Sequence, residues 1–256
     1  MASAARIVAR ALSLASLAAL AGGTAQAACR TLTHDGAGYT VCSFRADRDD
    51  IRLWHSAEDG TLYGSFRALD AALRAGEGRR LAFAMNGGMY HDDRRPVGHH
   101  VEAGVERAPL VTSDGPGNFG LLPNGVFCWD DARAAVIESR AFAAMQPDCR
   151  YATQSGPMLV IDGALHPRFL PASDSLHVRN GVGVAADGVT VHFAISEERV
   201  NFHAFGRLFR DVLETPDALY LDGKVSRLYA PDIGRADLGW TPLGPIVGVA
   251  APLEGG

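Results

Sequence analysis

Two valine-containing runs, Val182-Gly183-Val184-Ala185-Ala186 and Val189-Thr190-Val191-His192-Phe193-Ala194-Ile195, stand on either side of Asp187-Gly188. An Asp-Gly pair between β-prone runs is a strong short-range hairpin signal. The chain is therefore expected to reverse there through a type I′ turn and to build antiparallel sheet. Residues 51–54 read as another strand, followed by an Asp59-Gly60 turn. Residues 81–85 read as a short buried strand, Gly125-Val126-Phe127 as the start of one, and residues 219–221 as one more. Two helices are expected. Ser65 stands as N-cap before Phe66, Leu69 and Leu73, which share a face, and residues 202–213 carry Phe202, Phe205, Leu208, Phe209, Val212 and Leu213 at helical intervals. Many short strands broken by few helices imply an α+β fold, a single domain with a large, mostly antiparallel or mixed β-sheet core and a few packed helices.

The first 27 residues read as an export signal and residues 28–256 as the folded domain. Arg6 and Arg10 precede an uncharged, largely apolar run at residues 11–21, and Ala25-Gln26-Ala27 fits a small-x-small cleavage site. The destination is then the periplasm or the outside of the cell. All four cysteines, Cys29, Cys42, Cys128 and Cys149, follow that site, as structural disulfides in an oxidising compartment would. Four cysteines allow three pairings, of which the nearest-neighbour one is the simplest. No later apolar run approaches the roughly 18 residues of a membrane span, so no stable membrane insertion is expected. The net charge of −5 gives no basis for attraction to nucleic acid.

Four segments share one design, in which a strand or strand end is followed by a polar residue beside glycine. They are Asn86-Gly87-Gly88, Gln154-Ser155-Gly156, Arg179-Asn180-Gly181 and Asp222-Gly223 with Ser226. Glycine lets backbone N–H groups approach a ligand closely, and such nests suit anions. Arginine offers a planar fork to phosphate. The amides of Asn86, Gln154 and Asn180 suit sugar hydroxyls or phosphoryl oxygens. A strand that delivers Asp222 to a tight turn can hold a charge at the mouth of a pocket.

On these residues the chain resembles the phosphodiester glycosidase family, which includes the lysosomal uncovering enzyme, and most of all its exported bacterial branch. The likeness runs through residues 85–91, 96–98, 117–119, 123–127, 152–159, 179–183, 194–196 and 218–226. Two places depart from the family pattern: His99-His100 follows Pro96-Val97-Gly98, and Lys224, the only lysine, stands where a second glycine is common. The resemblance implies hydrolysis of the bond between an anomeric carbon and a phosphodiester in a small or polymeric phosphosugar, without a cofactor. It assigns Arg179 to the departing phosphate and Asp222 to the oxocarbenium-like centre, with Glu197 as a reserve carboxylate. His91, Asn86, Gly87, Gly88, Gln154, Ser155, Gly156, Asn180, Ser196, Gly223 and Ser226 are the expected substrate contacts.

Two other readings use the same sequence. A metal-dependent phosphoesterase would draw ligands from His91, Asp92, Asp93, His99 and His100, although their spacing matches no recognised ligand set, and no metal is assigned. A noncatalytic glycan- or phosphoglycan-binding module would keep the amides and Arg179 and tolerate loss of Asp222. Tyr90, Phe119 and Trp240 lie near the motifs and are expected in the core rather than against a sugar.

Overall fold

The computed structural model describes residues 28–253 together with Met1; the rest of the expected signal segment lies outside the described residues. Three antiparallel sheets and three α-helices carry most of the regular structure, which makes the fold α+β. The largest sheet has seven strands in the order Cys29–His34, Ala37–Arg45, Thr190–Ser196, Asn180–Val184, Asp217–Asp222, Met158–Ile161 and Ala164–Leu165. The expected hairpin sits in its middle, with Val182 opposite Phe193.

The hairpin turn differs from the two-residue form that Asp187-Gly188 predicts. Only Gly188 is left-handed (φ 66°), and the loop closes through Gly188 N–H to Ala185 O at 3.0 Å and Ala185 N–H to Thr190 O at 2.9 Å. The Asp187 carboxylate accepts the N–H groups of Val189 and Thr190, both at 2.8 Å, and the Thr190 hydroxyl at 2.7 Å. Those bonds pull its pKa down to about 2. A carboxylate thus closes the loop where a second left-handed residue was expected.

The second sheet runs Arg235–Ala236, Leu228–Ala230, Arg79–Asn86, Ile246–Pro252 and Asp50–Trp54, and the third Val105–Ala108, His100–Glu102, Tyr151–Ser155, Gly125–Trp129 and Ala134–Glu138. All three share one core. Phe44 and Phe193 from the first sheet meet Phe83 from the second with ring centroids 4.9 and 5.1 Å apart. Phe127 of the third sheet meets Phe193 at 6.0 Å, and Trp129 Nε1 donates to Ile51 O at 2.9 Å. Burying such aromatics contributes about 2 kcal/mol or more each.

Ser65 caps the helix Phe66–Glu77 by accepting from Ala68 N–H at 3.2 Å, and Phe66, Leu69 and Leu73 form its buried face. The second expected helix is shorter than its apolar spacing predicts. It is α-helical over Phe202–Arg207 and continues as a π-type turn over Leu208–Val212, where Leu213 N–H bonds Leu208 O at 3.1 Å. Widening the turn keeps Phe209 and Leu213 buried while Val212 turns to solvent.

Both nearest-neighbour disulfides are formed, Cys29–Cys42 between paired strands and Cys128–Cys149 across a separation of 21 residues. Replacing Cys128 and Cys149 together by alanine is expected to remove about 3 kcal/mol of stability. Tm should fall by roughly 6–12 °C in a thermal melt. An unchanged Tm would mean that the cross-link contributes nothing. Among the described residues no helix is long and apolar enough to cross a membrane.

Candidate active site

A cleft of about 1260 Å³ opens where the strand Asp217–Asp222 ends. Tyr220 and Asp222 reach it from that strand, and Gly223 to Arg227 form its floor. Met89, Tyr90, His91, Asp92 and Arg94 make one wall, and His177, Val178 and Arg199 another. Asp237, Leu238 and Thr241 complete the rim.

The floor is held by a staple between two sheets. Asn86 ends a strand of the second sheet and Asn180 begins one of the first. Asn180 Nδ2 donates to Asn86 O at 3.0 Å, and Asn180 Oδ1 accepts Asp222 N–H at 3.0 Å and Asn86 Nδ2 at 3.3 Å. Asn86 Oδ1 accepts Arg227 N–H at 3.1 Å. The Ser226 hydroxyl lies 2.7 Å from Asp222 O and 3.0 Å from Val178 O, tying both ends of the turn. Asn86 and Asn180 are fully buried with their amides engaged in this way, and neither is among the residues lining the cleft, where substrate contact was expected.

Asp222 is the buried carboxylate of the cleft, whose lining also includes Asp92 and Asp237. It is 7% exposed and accepts Lys224 N–H at 2.8 Å. Burial raises its pKa above the ordinary 3.8, while the N–H groups of Lys224, Gly223 and Val225 and the Lys224 charge partly offset that rise. Four cations also line the cleft, Arg94, Arg199, Lys224 and Arg227, and none of them makes an ion pair with a described residue. Arg94 lies 5.3 Å from the centroid of the Tyr90 ring.

Arg179 does not line the cleft. Its fully buried guanidinium stacks 3.6 Å from the centroid of Phe202, donates from Nε to Val200 O and from Nη2 to Ser175 O, both at 2.8 Å, and lies 5.4 Å from the centroid of the Tyr220 ring. Arg179, expected at the departing phosphate, thus stands behind Tyr220 rather than in the cleft lining. Glu197 is also away from the cleft, accepting Arg235 Nη1 at 2.5 Å and the Thr40 hydroxyl at 2.6 Å.

The other expected contacts are spent on the scaffold. Gln154 accepts His99 N–H and Val111 N–H through Oε1, both at 3.0 Å, and donates to Val111 O and Ser139 Oγ. Ser155 Oγ donates to Leu221 O at 2.9 Å, and Gly156 packs on Asn124. Ser196 Oγ accepts Arg179 N–H at 3.0 Å. Gly87 N–H bonds Pro245 O at 2.7 Å, and Gly88 faces Thr153. Of the expected contacts His91, Gly223 and Ser226 remain, lining the cleft beside Asp222.

The histidine-rich stretch does not converge on one point. His91 and Asp92 face the cleft, and Asp93 pairs with Arg95 at 2.6 Å. His100 Nε2 pairs with Glu102 at 2.8 Å, while His99 lies 3.5 Å from Glu106. The aromatic expectations divide. Phe119 packs beside Gly98, Tyr90 lines the cleft, and Trp240 is fully exposed at 102% on the rim loop.

The model of the phosphodiester glycosidase family matches residues 79–242, a span that holds Asn86, Arg179, Asn180 and Asp222. The chain belongs to the phosphodiester glycosidase family. It is 32% identical over 191 residues to the uncharacterized protein YigE of Escherichia coli strain K12, covering 75% of this chain and 72% of that one. Its fold is similar to the catalytic domain of zebrafish N-acetylglucosamine-1-phosphodiester alpha-N-acetylglucosaminidase auto-inhibited by its pro-peptide. The TM-score is 0.56 at 12% identity, over 86% of this chain and 81% of that one.

Within this phosphodiester glycosidase fold, sequence reading missed Tyr220 and the cations Arg94, Arg199 and Arg227. Tyr220 read as a core residue of an apolar strand, and strand alternation gives no sign that a side chain reaches a cleft through the space left by a neighbouring glycine. The arginines carry no motif; only their missing carboxylate partners set them apart.

Proposed function

We propose that the protein is an exported phosphodiester glycosidase, hydrolysing the bond between a sugar's anomeric carbon and a phosphodiester and releasing free sugar and a phosphate monoester. The observation that carries this reading is the cleft itself, whose lining combines the buried carboxylate of Asp222 with four cations without carboxylate partners. A leaving phosphate monoester has a second pKa near 6, so it departs without full protonation. What the reaction needs is negative charge beside the oxocarbenium-like carbon and positive charge around the phosphate. Asp222 supplies the first, as nucleophile, base for water or electrostatic stabiliser. Arg94, Arg199, Lys224 and Arg227 supply the second, in the place given to Arg179 by sequence. Family membership supports the reaction class, and the two disulfides together with the signal-like residues 1–27 support export.

The reading is tested by incubating purified protein with a panel of sugar-1-phosphodiesters and following free reducing sugar. Release from at least one member, abolished in Asp222→Asn, is expected. No release from any member, with the protein folded, would remove the glycosidase reading.

A further inference from the structure

Gly223 is held to glycine by packing. Its φ is not left-handed, yet a Cβ at this position would overlap the Tyr220 hydroxyl. The missing side chain opens the path by which that hydroxyl reaches the cleft beside Asp222, although Tyr220 as a whole is only 1% exposed. The ring is fixed edge-on against Phe202 at 4.8 Å, and Arg179 lies behind both, 5.4 Å from the Tyr220 centroid.

Arg179 makes no ion pair with a described residue, and its Nη1 makes no hydrogen bond to one. The guanidinium packs on the face of the Tyr220 ring, with Nε and Nη2 already spent on Val200 O and Ser175 O. The hydroxyl lies against Gly223 at the cleft, where its hydrogen can be donated to a bound ligand. Burial meanwhile holds the phenol well above its ordinary pKa, so that hydrogen stays in place.

Resting on the glycosidase reading above, we propose that Tyr220 is a further catalytic residue, donating a hydrogen bond to the departing phosphate, and that Arg179 is its positioning residue. As the C1–O bond breaks, its electron pair leaves on the phosphate oxygen. Tyr220 O–H stabilises that charge without giving up its proton, and water supplies the hydroxyl that ends on C1 while its other proton passes to solvent. Arg179 thereby acts on the phosphate through Tyr220, and Gly223 keeps the route clear.

Tyr220→Phe retains the ring and its packing and removes only the hydroxyl. Its kcat on a sugar-1-phosphodiester should fall roughly 10²-fold, the usual effect of deleting one donor to a developing oxyanion. On the glycosyl fluoride of the same sugar, which departs without phosphate, the loss should stay within about three-fold, the scatter of small electrostatic effects. Arg179→Lys should shift the same ratio in the same direction by lowering kcat more than it raises KM. Combined with Tyr220→Phe it should cost little further on the phosphodiester. Equal losses on both substrates, or none on the phosphodiester, would overturn the assignment.

If the wild-type protein turns over neither substrate, the glycosidase reading fails by itself. Calorimetric titration with inorganic phosphate still decides the role of Tyr220. Binding weakened about ten-fold in Tyr220→Phe supports a phosphate contact, and equal affinity overturns it.

Discussion

Asp222→Asn is expected to lower kcat on a sugar-1-phosphodiester by roughly 10³-fold while leaving the fold intact. Asparagine keeps an oxygen for the Lys224 N–H, and the backbone hold from Asn180 Oδ1 to residue 222 N–H does not involve the side chain that changes. Stability should move the other way from activity. The folded-state pKa of Asp222 is raised by burial, so its contribution is fully present below the unfolded value near 3.8 and is lost as pH rises through the higher folded value. The variant should therefore melt at or above the wild-type temperature at pH 7, with the difference closing toward pH 4. Activity that needs the carboxylate should fall as pH drops through that same raised pKa. Thermal melts at the two pH values, with a pH–rate profile, check both signs. A variant with wild-type turnover would remove Asp222 from the mechanism.

Asn180→Ala is expected to lower stability and turnover together. The alanine leaves Asp222 N–H, Asn86 O and Asn86 Nδ2 without their buried partner. Orphaned buried groups cost about 1–3 kcal/mol each, partly relieved by relaxation, so a loss of about 3 kcal/mol is expected. For a chain of this size that is roughly 10 °C in Tm. Turnover should fall as well, because the strand end that aims Asp222 is anchored there. Wild-type Tm and activity together would show that the two sheets do not need this staple.

Much of the fold was legible in the sequence because the signals were local. Ser65 marked a helix start, Phe66, Leu69 and Leu73 marked its buried face, and the valine runs around Asp187 marked the central hairpin. Departures arose where a side chain or the packing overrode the local rule. The Asp187 carboxylate closed a wider turn, and packing against the sheet widened the end of the Phe202 helix.

The candidate site was legible in a different way. The motif asparagines, Gln154 and Ser155 are polar residues beside glycine, the pattern of a binding loop, but they serve buried scaffolding between strands. A polar residue that pins a catalytic turn and one that touches substrate look alike in sequence. Only the third dimension separates Arg179, one layer down behind Tyr220, from Arg94, Arg199 and Arg227 in the cleft. Trp240 was expected in the core because large aromatics usually bury, yet it stands in solvent on the rim loop.

The account depends on which bond breaks. Hydrolysis of a sugar-1-phosphodiester in water enriched in ¹⁸O, read by mass spectrometry of both products, tests that directly. Cleavage at the anomeric carbon places the heavy oxygen on the sugar and leaves the phosphate monoester unlabelled, which is the result expected here. Label in the phosphate would mean attack at phosphorus, the chemistry of a phosphoesterase, and would contradict the glycosidase account.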